Sequence, residues 1–97
     1  MKPTAMLINV ARGEIVDQDA LEEALRSGRL AGVGLDVFAT EPLEPDSPLL
    51  RLDNVIATPH VAGMTYGTSR RRAAACAENI RRISAGLDPL YRVTATP

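Results

Sequence analysis

At 97 residues the chain holds one domain at most, or a piece of one, with a modest core. Its 45% hydrophobic and 24% charged composition is ordinary for a globular protein, and a net charge of −1 gives no reason to expect a nucleic-acid partner. The single cysteine, Cys76, excludes an internal disulfide framework and fits a reducing cytosol; no apolar run is long enough to span a membrane, and Met1 to Ala5 hold no signal-peptide core, so a cytoplasmic location is expected.

Ala5 to Val10 is a short apolar run that suits a buried strand. After Arg12-Gly13 and Ile15-Val16 comes Asp17, a good helix N-cap. Asp19 to Ser27 has helical spacing: Ala20, Leu21, Ala24 and Leu25 share one face, with Glu22 and Glu23 opposite. Gly28 suits the residue that ends this helix. Leu30 to Val37 is a second apolar run, whose two glycines permit close approach of a neighbouring element.

The prolines at 42, 45 and 48 mark residues 38 to 53 as loop. Asn54 to Thr58 is a third short strand, stopped by Pro59. A long helix is expected from about Thr65 to Ala85, closed by Gly86. Its predicted buried stripe is Ala73, Ala77, Ile80, Ile83 and Leu87, and Cys76 is expected to be a small buried residue within it. The arginines at 70 to 72, 81 and 82 are expected on a solvated face. Residues 1–87 are expected to form one unit and 88–97 a tail. Strands separated by crossovers of this length predict an α/β fold with a parallel sheet of about three strands, flanking helices and a long C-terminal helix. The link from the second strand to the third shows no clear helix, a departure from a regular strand–helix–strand unit.

Polar residues cluster at one edge of this framework. Arg12 follows the first strand, Asp36 ends the second with Glu41 in the loop beyond, and His60 follows the third. Open parallel sheets bind ligands at that edge. An arginine fork holds a carboxylate bidentately. An imidazole exchanges protons near neutral pH, and a neighbouring carboxylate favours its protonated form and fixes its orientation. The set matches a substrate with a carboxylate next to an alcohol or ketone. Taken singly, each residue has a plainer explanation: a structural histidine, a surface arginine, a solvated loop glutamate, an aspartate capping a strand. Four of them at one sheet edge favour the functional explanation. No metal site is expected.

Three ordered blocks sharpen the picture. The first is Met1-Lys2-Pro3-Thr4-Ala5 with Ile8-Asn9-Val10-Ala11-Arg12-Gly13, continued by Val16-Asp17, Ala20-Leu21 and Ala24-Leu25. The second is Gly34-Leu35-Asp36-Val37-Phe38 with Glu41-Pro42, and the third is Asn54-Val55 with Thr58-Pro59-His60. Together they resemble the D-2-hydroxyacid dehydrogenases, in the C-terminal part of their Rossmann-like NAD-binding domain. That resemblance implies His60 as general acid/base, Glu41 as its partner, and Arg12 as the anchor of the substrate carboxylate. It implies that Asp36 contacts the nicotinamide end of NAD or NADP, and that Val10, Ala11, Ala62 and Gly63 line the same pocket beside Arg12 and His60. The implied substrate is a small 2-keto or 2-hydroxy acid, and the full-length form is implied to be a homodimer.

One feature of the family is missing: no G-x-G-x-x-G occurs in the chain. The pyrophosphate cradle and the residue that selects NAD or NADP are therefore absent from these residues. A fragment of a working dehydrogenase is one expectation. A truncated, non-catalytic product or assembly module of the same descent is the alternative. A non-redox binding domain on the same fold is a third, disfavoured by the three blocks. The 97 residues by themselves are expected to bind NAD very weakly, and to self-associate or to be only marginally folded.

Overall fold

A computed structural model describes residues 1–94. It contains three strands, β1 (Met6–Asn9), β2 (Gly32–Leu35) and β3 (Val55–Ala57), and two α-helices, α1 (Gln18–Arg26) and α2 (Tyr66–Ser84). Two short 3-10 turns, Gly13–Ile15 and Pro48–Arg51, complete the set. The strands are parallel in the order β1-β2-β3, with Ile8 beside Gly34 and Gly34 beside Ile56. The expected α/β class with a parallel sheet is what forms, each strand a little shorter than its apolar run.

Local chemistry sets the element ends. Asp17 caps α1, its carboxylate accepting from Ala20 N–H at 3.0 Å. Gly28 follows the helix at φ +69°, the left-handed conformation that a glycine adopts without strain. The Pro48–Arg51 turn lies inside the stretch expected to be plain loop. Its Leu49 is 1% exposed, so the proline-rich link from β2 to β3 does contribute to the core.

The chain divides into two compact units, residues 1–62 and 63–97. The first holds the sheet, α1 and the core. Leu21 and Leu25 of α1 meet Val33 and Leu35 of β2, with Leu30, Phe38 and Leu49 completing the cluster. The other face of the sheet is open: Met6, Ile8 and Ile56 are 71%, 68% and 73% exposed. Parallel sheets ordinarily bury both faces.

The second unit consists of α2 and the segment C-terminal to it. The chain after Gly86 folds back on the helix: Asn79 exchanges two hydrogen bonds with the Leu90 backbone, and Arg82 Nε donates to Asp88 O at 2.7 Å. The first residues of the expected tail are thus tied down, while 95–97 lie outside the described residues. The expected buried stripe is corrected. Ile80, Ile83 and Leu87 are largely exposed, and no residue of α2 is buried. Cys76 is exposed as well. Helical spacing identifies a face suited to burial, but burial needs a partner surface, and the second unit by itself supplies none.

Candidate active site

The C-terminal ends of the three strands carry the polar residues, as the topology predicts. After β1 the chain turns through Val10 and Ala11 to Arg12, all exposed. The Arg12 guanidinium donates one bond, to Ala11 O at 2.6 Å. Gly13 comes next, buried against the loop after β2: a Cβ built there would overlap the Phe38 carbonyl. Only glycine lets the Arg12 loop abut the Phe38–Glu41 turn so closely.

β2 ends at Leu35 and is followed by Asp36, which is 3% exposed. Its carboxylate organises the loop after β3. Oδ1 accepts the Thr58 hydroxyl at 2.5 Å and Val61 N–H at 2.8 Å, and Oδ2 accepts Ala62 N–H at 2.8 Å. These bonds, the Thr58 hydroxyl first, hold its pKa below the ordinary aspartate value. Three of about four acceptor positions are filled, which leaves one on Oδ2.

The same loop presents His60. Its backbone lies at φ +55°, uncommon for a residue with a side chain. The conformation is fixed by His60 N–H, which donates to Asp36 O at 2.9 Å. The ring then meets Glu41: Nδ1 lies 2.8 Å from Glu41 Oε2. The other carboxylate oxygen accepts Phe38 N–H at 3.0 Å, so the glutamate is held on both sides. The Glu41 pKa is lowered, chiefly by its bond to His60 and then by the Phe38 amide. An ionised carboxylate can only accept. The proton in this contact therefore sits on His60 Nδ1, and Nε2 is the nitrogen available for chemistry.

Arg12, Glu41 and His60 line one recess of about 170 Å³ with Gly13, Phe38 and Ala39. A larger apolar recess of about 480 Å³ adjoins the Glu41–His60 pair on residues that include Leu43, Leu50 and Ala57. A guanidinium and an imidazole with a free nitrogen thus share one small, open site.

Comparison with known proteins adds a second line of support. The model of the family described as D-isomer specific 2-hydroxyacid dehydrogenase, NAD binding domain, matches residues 1–62. The chain belongs to this family. Glyoxylate reductase of Korarchaeum cryptofilum is 49% identical over 89 residues, which are 92% of this chain and 27% of that protein. Glyoxylate/hydroxypyruvate reductase B of Pectobacterium carotovorum is 54% identical over 80 residues, 82% of this chain and 25% of that one. Among solved structures, a D-isomer specific 2-hydroxyacid dehydrogenase from Xanthobacter autotrophicus, in complex with NADPH and MES, superposes with a TM-score of 0.82 at 49% identity. That superposition covers 97% of this chain and 38% of the other. The chain therefore spans about a quarter of the length of these curated relatives.

The residues that shape the recess of this dehydrogenase-family chain are not all ones that stand out in the sequence. Gly63 begins the second unit and is described only there. Asn9 and Thr58 do not stand out as site residues, yet Asn9 is buried and bonds the Arg12 loop twice, and Thr58 bonds Asp36. A polar residue ending an apolar strand run is the signal that could have singled out Asn9, because a buried amide must find partners.

Proposed function

We propose that this chain carries the acid/base and substrate-anchoring part of an NAD(P)-dependent D-2-hydroxyacid dehydrogenase active site, which interconverts a small 2-keto acid and a D-2-hydroxy acid. The observation that carries this is the Glu41–His60 contact at 2.8 Å with Arg12 in the same recess. The relatives named glyoxylate reductase and glyoxylate/hydroxypyruvate reductase make glyoxylate and hydroxypyruvate the first substrates to consider.

Each residue has a role that accords with its placement. The Arg12 guanidinium pairs with the substrate carboxylate and draws electron density from the adjacent carbonyl. Protonated His60 donates from Nε2 to the carbonyl oxygen in reduction, and takes that proton back in oxidation. Ionised Glu41 keeps the Nδ1 proton in place and stabilises the imidazolium between turnovers. Asp36 holds the loop that carries His60, and its remaining acceptor position suits a nicotinamide carboxamide. Val10, Ala11 and Ala62 are the backbone positions that the family resemblance gives to that end of the cofactor. The nicotinamide cofactor, when bound, would donate the hydride as NADH or NADPH in reduction and accept it as NAD or NADP in oxidation.

The residues present fit the nicotinamide end of the cofactor and not its phosphates. No G-x-G-x-x-G is available, and α1 opens with Asp17 and Asp19, whose charges repel a phosphate from its N-terminus. This observation favours a second reading for the 97-residue chain by itself: a non-catalytic product or assembly module that retains the site. The test of the first reading is binding at the site: glyoxylate or hydroxypyruvate is expected to shift the Arg12 and His60 signals of the chain in nuclear magnetic resonance, and His60→Gln to keep the Arg12 shift. Absence of any 2-keto acid binding would contradict the first reading and leave the second.

A further inference from the structure

We infer that Asn9 is the positioning residue for Arg12, setting the direction of the guanidinium through the backbone on either side of it. The inference deepens the anchor role proposed above and rests on it. Asn9 ends β1 and is 4% exposed, so its amide must be satisfied within the protein. The Arg12 loop satisfies it: Oδ1 accepts Ala11 N–H at 3.1 Å and Nδ2 donates to Arg12 O at 2.9 Å. One planar side chain therefore clamps the amide before Arg12 and the carbonyl after it. The clamp is itself anchored, because Asn9 O accepts Asp36 N–H at 3.0 Å across β1 and β2. The strand bond ties the Arg12 loop to the segment that carries Asp36. Gly13 closes the loop from the other side by its contact with the Phe38 carbonyl. Arg12 is thus bracketed by two buried residues, while its own long side chain is exposed and makes a single bond. The backbone sets where a long, exposed side chain starts, so the clamp fixes the point from which Arg12 reaches the recess it lines with Glu41 and His60. Without the clamp that starting point is released, and a substrate carboxylate is held less firmly.

The test uses the 97-residue chain, its Asn9→Ala and Asn9→Ser variants, and nuclear magnetic resonance. Asn9→Ala removes both bonds; the shorter serine hydroxyl retains an acceptor for Ala11 N–H. The readouts are hydrogen-exchange protection of the Ala11 amide, the affinity for glyoxylate from the Arg12 Nε–H shift, and the thermal midpoint. We expect Asn9→Ala to lose Ala11 protection and at least tenfold in glyoxylate affinity, and Asn9→Ser to recover part of both. The Val61 and Ala62 amide shifts, set by Asp36, are expected to stay in place. Unchanged Ala11 protection in Asn9→Ala would overturn the inference. So would a merely structural outcome, in which both loops shift together and serine restores nothing. If the unsubstituted chain gives no Arg12 shift with glyoxylate, the anchor role fails, while loss of Ala11 protection still upholds the clamp.

Discussion

Thr58 donates its hydroxyl to the buried Asp36 carboxylate at 2.5 Å, and that bond fixes the start of the loop on which His60 stands. A carboxylate from one strand end thereby places the imidazole that lies beyond the next. The Val61 and Ala62 amides complete the grip from the far side of His60. The placement depends on acceptors at all three positions.

Asp36→Asn tests that dependence. An amide offers one acceptor oxygen, and its NH₂ must then face either Ala62 N–H or the Thr58–Val61 pair, donor against donor. The expected outcome is loss of hydrogen-exchange protection at Val61 and Ala62 and a lower thermal midpoint. Thr58→Val, which removes one donor and leaves the carboxylate its two amides, is expected to perturb these amides less.

The same loop carries a pH dependence whose sign is set by the lowered carboxylate pKa values. Both Asp36 and Glu41 ionise more readily here than at their ordinary 3.8 and 4.5. Their contribution to stability is therefore present in full above those values and is lost as pH falls through the lower, folded-state ones. The side-chain carboxyl carbon shifts of Asp36 and Glu41 are expected to titrate with midpoints below those ordinary values. A midpoint above the ordinary value for either carboxyl would contradict this.

Gly13→Ala is expected to damage the site more than its size suggests. The added methyl meets the Phe38 carbonyl, so either the Arg12 loop or the Glu41 turn must shift. Forced insertion of this kind costs about 1–3 kcal/mol. Urea unfolding measures the cost, and the Arg12 and Phe38 amide shifts report which loop moved.

Leu49→Ala probes the core beneath the site. Leu49 is the most buried side chain of the Pro48–Arg51 turn, and truncation in such a position costs about 2–5 kcal/mol. Urea unfolding is expected to show a loss in that range. A loss near zero would mean the turn packs less tightly than described.

The open sheet face predicts self-association. Met6, Ile8 and Ile56 together form an apolar strip on a face that parallel sheets normally cover. Sedimentation velocity is expected to show dimers or larger species as concentration rises, with Ile8→Lys shifting the chain towards monomer. A monomer at every concentration would contradict this.

Much of this arrangement is legible in the sequence, and the failures have a common physical cause. Three apolar runs, Asp17 and Gly28 mark the strands and α1, because caps and periodicity act locally. Arg12, Asp36, Glu41 and His60 stand out by their positions after strands in a parallel sheet. The Pro48–Arg51 turn is hidden because prolines mask a short helical segment whose Leu49 is buried by distant residues. The stripe of α2 is misplaced because periodicity describes what could be buried, and exposure depends on what else is there. Asn9 is hidden for the converse reason: its role lies in two backbone partners that only the folded loop brings within reach.

On the proposed function, Arg12 and His60 belong to one carboxylate-binding, proton-donating site. Titration of the chain with glyoxylate, monitored by nuclear magnetic resonance at Arg12 Nε–H and the His60 ring together, tests it most directly. Both signals are expected to move along one saturation curve, and Arg12→Ala to abolish the His60 response as well as its own. A His60 response that survives Arg12→Ala, or two curves with different midpoints, would show two unrelated sites and contradict it.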